Sequence, residues 1–267
     1  MSVTAGTKGD DGGGSAPRFG IRAFGVTRVE HDAVPSLKSQ LGPPGQGPFP
    51  PSFLKPSEEQ TVVALAAVLQ AIDTHGLGQE CFEHWGVVAA PCSMGRLVAA
   101  ETLSKYRQGG AWKVAPLLVA HHSLHSISGT ISQALGIHGP NFGVGGGPRA
   151  VAEGLVTAWT LLSEGRLPGL WLVLTQSDPE PMPDTEGHTL VPVTYHGVAL
   201  ALVPAAAPET GWQLHYHADA AQLSQSQAEV PTVRQLVQIL SDKASSPPAA
   251  CSCPLGWGAA LELRRAA

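Results

Sequence analysis

The residues with the spacing for chemistry gather in one stretch, Gly139 to Ala150, which reads GPNFGVGGGPRA. A brief apolar run, Phe142 to Val144, leads into Gly145, Gly146, Gly147 and Pro148, and a helical pattern follows through Glu164. Proline suits a first helical position, because its missing N–H has no intrahelical partner there. The stretch therefore predicts a strand, a tight bend and a helix N-terminus, a place where backbone N–H groups converge on an anion or a nucleophile. No Ser, Cys, Thr or Lys stands between Gly139 and Ala152. The bend thus cradles a ligand by backbone alone, is a nucleophile elbow without its nucleophile, or is merely a tight turn of an unrelated α/β fold. A dinucleotide loop fits poorly. Gly143 and Gly145 match its first two glycines, but Pro148 takes the third place and Asp178, the first acid after the next strand, lies too far along.

Other reactive groups are scattered. Cys92 follows an apolar strand, with Arg96 and a helix start close behind, so it is a candidate replacement nucleophile. Cys251 and Cys253 form a lone C-x-C beside two prolines without the further ligands that a metal needs, and read as loop cysteines; the four cysteines make no disulfide framework. His121, His122 and His125 lie together, and His121 and His125 could share a helix face, yet no third ligand of matching spacing is evident. Arg149 could meet a ligand's phosphate or carboxylate, face solvent, or cap a buried acid such as Glu153. No metal or cofactor site is assigned.

These groups must be held by a framework, and the composition supplies one. The chain has 267 residues, is 43% hydrophobic and 14% charged, and carries a net charge of −5, which suits a well-buried core and argues against nucleic-acid binding. No apolar run is long enough to span a membrane, and the N-terminus lacks a signal pattern, so the expected location is the cytoplasm. Residues 1 to 17 read as a disordered tail, and the proline-rich stretch 42 to 56 as a loop. Strands are expected at Phe19 to Val29, Trp85 to Ala90, Leu170 to Thr175, Gly197 to Val203, Gly211 to His217 and Trp257 to Arg264. Helices are expected from Ser57, with Gln60 completing a capping box, to Gly76; from Arg96 to Tyr106; from His122 to Leu135; and from Thr232 to Leu240. Pro116 to Val119 reads as loop or extended chain. Apolar strands alternating with helices predict a layered α/β fold.

In this order the segments resemble the β-ketoacyl synthases. Val114 to Asn141, VAPLLVAHHSLHSISGTISQALGIHGPN, is similar to that family's run from a proline loop through a small-residue helix to G-x-x-G-P. Without a gap, Gly165 and the apolar strand Leu170 to Thr175 then occupy the places of the family's helix end and next strand, and GVALALV resembles the strand closing its N-terminal half. The resemblance implies a thiolase-like layered fold, mainly the N-terminal βαβαβαββ half (residues 18–204), with a truncated C-terminal remnant (205–267) packed on the same domain.

It also implies a missing reaction. Pro148 falls where the family has its nucleophilic cysteine, and proline cannot attack a thioester. Neither His196, His215 nor His217 sits in a motif matching the family's catalytic histidines, which lie in the second half. The chain thus resembles a chain-length factor, the non-catalytic partner in polyketide or aryl-polyene synthesis. Such a subunit forms a heterodimer with an active ketosynthase, and meets an acyl carrier protein through it. Asn141, Phe142, Gly143, Val144 and Gly145 would then form the interface. Trp112, Pro116, Leu117 and Leu118 would line the acyl tunnel, with Trp112 as its gate. The alternatives left open are a thioester hydrolase or decarboxylase using Cys92 or a histidine, and a homodimeric scaffold.

Overall fold

The computed structural model describes residues 18–116, 118–182, 184, 192–204, 210–219, 229–242 and 250–265. The expected tail and Leu117 lie outside the described residues. In chain order the elements are β1 (Arg18–Glu30), α1 (Val34–Gln40), α2 (Pro51–Leu54), α3 (Glu59–Thr74), β2 (Gly86–Cys92), α4 (Arg96–Gly109), α5 (Leu118–His122), α6 (His125–Leu135), β3 (Asn141–Gly143), α7 (Ala150–Ser163), β4 (Leu170–Asp178), β5 (Thr194–Pro204), β6 (Trp212–His217), α8 (Val233–Ser241), β7 (Ala250–Pro254) and β8 (Ala260–Arg265). All eight strands lie in one sheet, in the order β3-β2-β4-β5-β1-β6-β8-β7. β2 runs parallel to β3 and β4, and every other neighbouring pair is antiparallel. The first five strands and the helices between them realise the βαβαβαββ order.

β5 shows why the layers sit as they do. Its Ala199 and Ala201 face α3, while Val198, Leu200 and Leu202 face the opposite core with α7 and α8. Small side chains on one face let a helix close onto the sheet backbone. At Gly25 of β1 the approach leaves no room at all, since a Cβ there would lie 2.0 Å from the Ala67 carbonyl oxygen. α3 is correspondingly buried at 12 of its 16 positions, as its all-round apolar sequence requires. β4 is buried on both faces from Leu170 to Thr175, and its Trp171 packs edge-on against Phe82 and beside Trp85. The C-terminal strands extend the same sheet: β6 pairs with β1 over Arg18 to Ile21 only, and β8 and β7 follow outward.

Several boundaries differ from expectation, each for a local reason. α7 begins at Ala150 with Arg149 as N-cap; Gly145 and Gly146 have φ of 85° and 96°, and a further turn, closed by Ala150 N–H donating to Gly147 O, holds Pro148 outside the helix. Ser57 does not cap α3, whose N-cap is Glu58 without a side-chain cap bond. Gln60 is buried instead and bridges two strands: its Nε2 donates to Cys92 O at 3.1 Å, and Thr175 Oγ1 donates to its Oε1 at 2.7 Å. Leu118 starts a short helix, and the expected helix from His122 is interrupted before His125. There β3 presses on the chain, so that a Cβ on Gly143 would lie 2.2 Å from Leu124 C. A helical turn at Pro51–Leu54 interrupts the expected loop, its proline sitting in the first turn.

Candidate functional site

The bend after β3 is stitched to the end of β2. Val144 N–H donates to Ala89 O at 2.9 Å, Gly146 N–H to Pro91 O at 2.9 Å, and Ser93 N–H to Gly146 O at 3.3 Å. Two of the donors that could have formed an anion cradle are thereby taken. Gly145 is forced by packing, since a Cβ there would stand 2.9 Å from that of Ala150. Pro148 and Arg149 are exposed at the mouth of the bend. Arg149 points its guanidinium toward the β7–β8 turn, with NH2 3.9 Å from a Cβ built on Gly256.

Cys92 carries a thiol on the strand that the bend joins, bridging to Gly146 through the backbone. Its side chain is half-buried against the core that contains α7, with Sγ 3.7 Å from Ser93 Oγ. Ser93 has a φ of 58°, unusual for a residue with a side chain. Cys251 and Cys253 are buried on β7, and burial pushes their thiols up to about 11 and about 12, the wrong direction for a nucleophile.

The expected interface and tunnel residues stand in two places. Asn141 to Gly143 form β3, the edge strand of the sheet, with Phe142 44% exposed. Asn141 is anchored from behind, its Nδ2 donating to Ser132 Oγ at 2.7 Å. Trp112 lies on an excursion between β2 and α6 and is 99% exposed; Pro116 is exposed and Leu118 partly so. No residue of α4 or of the 3-10 turn Gly110–Lys113 is buried, and Leu103 and Tyr106 on α4 are exposed as well.

The histidine cluster is divided by the break between α5 and α6. His125 Nδ1 lies 3.3 Å from Ser128 Oγ, while His122 Nδ1 lies 3.5 Å from Glu58 Oε2. No group of three or more potential metal ligands occurs among the described residues, and none of their helices is long and apolar enough to cross a membrane. Glu58 belongs to no sequence motif. Its signal was present, because a helix apolar on all sides carries its own N-terminus into the interior. Burial raises its carboxyl to about 7, opposed by the Gly95 N–H and assisted by Glu59.

A second convergence had no sequence signal, since its members are far apart in the chain. Buried His196 lines a cavity of about 380 Å³ with Asp178, Arg234, Arg28 and Glu30. Its Nε2 lies 4.0 Å from Asp178 Oδ2, which also accepts from Arg234 at 2.7 Å. Burial lowers the His196 imidazole, with the nearby carboxylates and guanidiniums pulling in opposite directions. The four charged partners pair among themselves, Arg28 with Glu30 and Arg234 with Asp178, so their charges balance.

No protein-family model matches the chain, and no curated protein resembles it closely in sequence. Solved structures do resemble it. A β-ketoacyl synthase from Burkholderia phymatum STM815 superposes with a TM-score of 0.53 at 13% identity, over 78% of this chain and 66% of that one. This chain therefore spans about two thirds of that synthase. A type II polyketide synthase acyl-carrier protein in complex with its ketosynthase gives 0.56 at 12% identity, over 94% of this chain and 100% of the other. The ishigamide ketosynthase/chain length factor gives 0.56 at 16% identity, over 93% and 99%. With the strand order above, these similarities establish that the chain carries the thiolase-type fold of the β-ketoacyl synthases.

Proposed function

We propose that this protein is a catalytically silent ketosynthase-like subunit of the chain-length-factor type. It would pair with an active β-ketoacyl synthase and shape that enzyme's acyl tunnel in polyketide, aryl-polyene or fatty-acid-like synthesis, meeting the acyl carrier protein through its partner. The observation that carries the reading is the bend between β3 and α7, which has Pro148 and no side chain able to attack a thioester. Two further features support it. The chain matches one chain in each of two ketosynthase complexes over nearly the full length of both. It also exposes an edge strand, β3, and an excursion whose residues 96–113 include none that is buried while presenting Leu103, Tyr106 and Trp112, as expected of a surface awaiting a partner. In this reading residues 18–204 form the ketosynthase-like half and 205–267 complete its sheet, Asn141 to Gly145 meet the partner, and Trp112, Pro116, Leu117 and Leu118 border the tunnel.

The test is co-expression with a cognate ketosynthase and carrier protein. The expected result is a heterodimer whose products lengthen when Trp112 is changed to alanine. A chain that neither associates with such an enzyme nor alters product length would refute the assignment. A second reading is favoured by one observation, the half-buried Cys92 thiol beside Gly146. Its sulfur would attack a thioester carbonyl, expel the carrier thiol, and release the acyl group to water. Turnover of an acyl thioester by the isolated chain, abolished by Cys92→Ala, would replace the first reading with this one.

A further inference from the structure

Residues 96 to 121 leave the body at Gly95 and return at His122. No residue from 96 to 122 whose burial is described is buried, and no residue of α4 belongs to either hydrophobic core. Polar contacts hold its base: Arg96 pairs with Glu180 beyond β4, and one side chain reaches both ends. Glu58, at the N-terminus of α3, has a side chain only 12% exposed. Its Oε1 accepts the Gly95 N–H at 2.9 Å, where the arm departs. Its Oε2 lies 3.5 Å from His122 Nδ1, where the arm returns. The two ends also touch each other, since a Cβ on Gly95 would stand 2.9 Å from His122 O. Ser93 and Gly95, with φ of 58° and 75°, form the bend by which the arm leaves β2.

We propose that Glu58 is a clasp that sets the angle of the 96–121 arm on the core, and so positions the surface that the arm offers to a partner protein. The clasp belongs to the isolated chain; only its consequence for docking rests on the function proposed above. Its chemistry is that of a neutral pair. Glu58 Oε2 and His122 Nδ1 are both buried atoms without another hydrogen-bond partner, and a proton on the carboxyl lets Oε2–H donate to Nδ1 while Oε1 still accepts from Gly95. Burial raises the Glu58 carboxyl and lowers the His122 imidazole, so it favours that neutral state on both sides. The other ionisable groups facing the pair are Glu59, which raises both, and Tyr195, whose own phenol is raised by burial and by the two glutamates. Tyr195 in turn meets His31, with its hydroxyl 3.3 Å from Nδ1.

Hydrogen exchange on the full chain without a partner tests the clasp. In Glu58→Ala, amides of 96–121 should exchange about tenfold faster, the shift expected from losing one buried hydrogen bond to a charged or ionisable group, while those of β2 and β4 keep their protection. Glu58→Gln, which can still accept from Gly95 and donate to His122, should retain the wild-type pattern. If Glu58→Ala fails to fold, His122→Ala is read in its place. Unchanged exchange in the arm, or acceleration spread evenly over the core, overturns the proposal. Affinity for a ketosynthase is then measured. Loosening of the arm with unaltered affinity would remove the docking role and leave the clasp standing; lost affinity in the alanine variant alone would support both.

Discussion

Replacing Glu58 by glutamine should reverse the usual expectation that removing a hydrogen-bonded acid destabilises a protein. The wild-type carboxyl has a folded-state value of about 7, against about 4.5 in the unfolded chain. Because the folded value is the higher, the folded state holds the extra proton between these limits. The associated stability is present in full below about pH 4.5, declines as pH rises, and is gone above about pH 7. A gap of roughly 2.5 units corresponds to about 3 kcal/mol, an upper figure for one carboxyl. His122 acts on the other side: its lowered value means that stability is lost as pH falls below about 6.5 toward the folded value. The pair is therefore best accommodated in mildly acidic solution.

Glutamine keeps the acceptor for Gly95 and a donor for His122 but cannot ionise, so it removes the alkaline loss and leaves the acid side unchanged. Denaturant unfolding at several values between pH 5 and pH 8, followed by the fluorescence of buried Trp85 and Trp171, gives both stability curves. Other titrations are common to both proteins and cancel in the difference. Glu58→Gln should match the wild type near pH 5 and exceed it by about 2 to 3 kcal/mol at pH 8. Parallel curves across the range, or a variant less stable at pH 8, would refute the assignment of a buried, proton-binding carboxyl at this position.

Three other substitutions or measurements probe the packing around the bend. Gly154→Ala would ordinarily strengthen a helix, yet its Cβ would lie 2.7 Å from Ala90 Cβ and 3.0 Å from Leu174 Cδ2; a net loss of about 1 to 3 kcal/mol is expected in thermal or denaturant unfolding. Thr175→Val leaves the buried Gln60 carbonyl without its 2.7 Å donor, which should cost about 1 to 3 kcal/mol, and adding Gln60→Leu should recover part of it in a double-mutant cycle. In a thiol-labelling time course, exposed Cys81 should react first, with Cys251 and Cys253 protected until unfolding because burial keeps them protonated. Fast labelling of either C-terminal thiol in the native protein would contradict their placement.

The parts of the fold that the sequence made legible are those with only one way to bury themselves. LWLVLT and GVALALV have no polar face, so they had to be interior strands, and TVVALAAVLQAI had to be a helix covered on all sides. β7 escaped because its inward residues are Cys251 and Cys253, set among prolines that hide the alternation. α1 and α2 escaped because each is short and carries proline in its first turn. Gln60 was misread for a different reason: the residue type that completes a capping box also suits a buried bridge, and only the approach of β2 and β4 decides between them. The break between α5 and α6 likewise comes from β3, a contact across the fold that no local pattern carries. Glu58 and His196 were missed as site residues because their partners, at 95 and 122 in one case and 178 and 234 in the other, converge only after the sheet has formed.

The glycines of the bend do not by themselves argue for chemistry. Gly143 is required by Leu124 and Gly145 by Ala150, so packing of β3 against α6 and α7 accounts for both without any ligand. The backbone donors of Val144 and Gly146 are likewise engaged with β2. A catalytic bend and a merely structural one would therefore share this backbone, and only the side chain at the mouth separates them. That side chain is proline, exposed and outside the helix, with the Cys92 thiol on the neighbouring strand. The functional reading thus depends on one position where the geometry is permissive and the residue is inert, and the excursion that carries Trp112 supplies the independent reason to look for a partner.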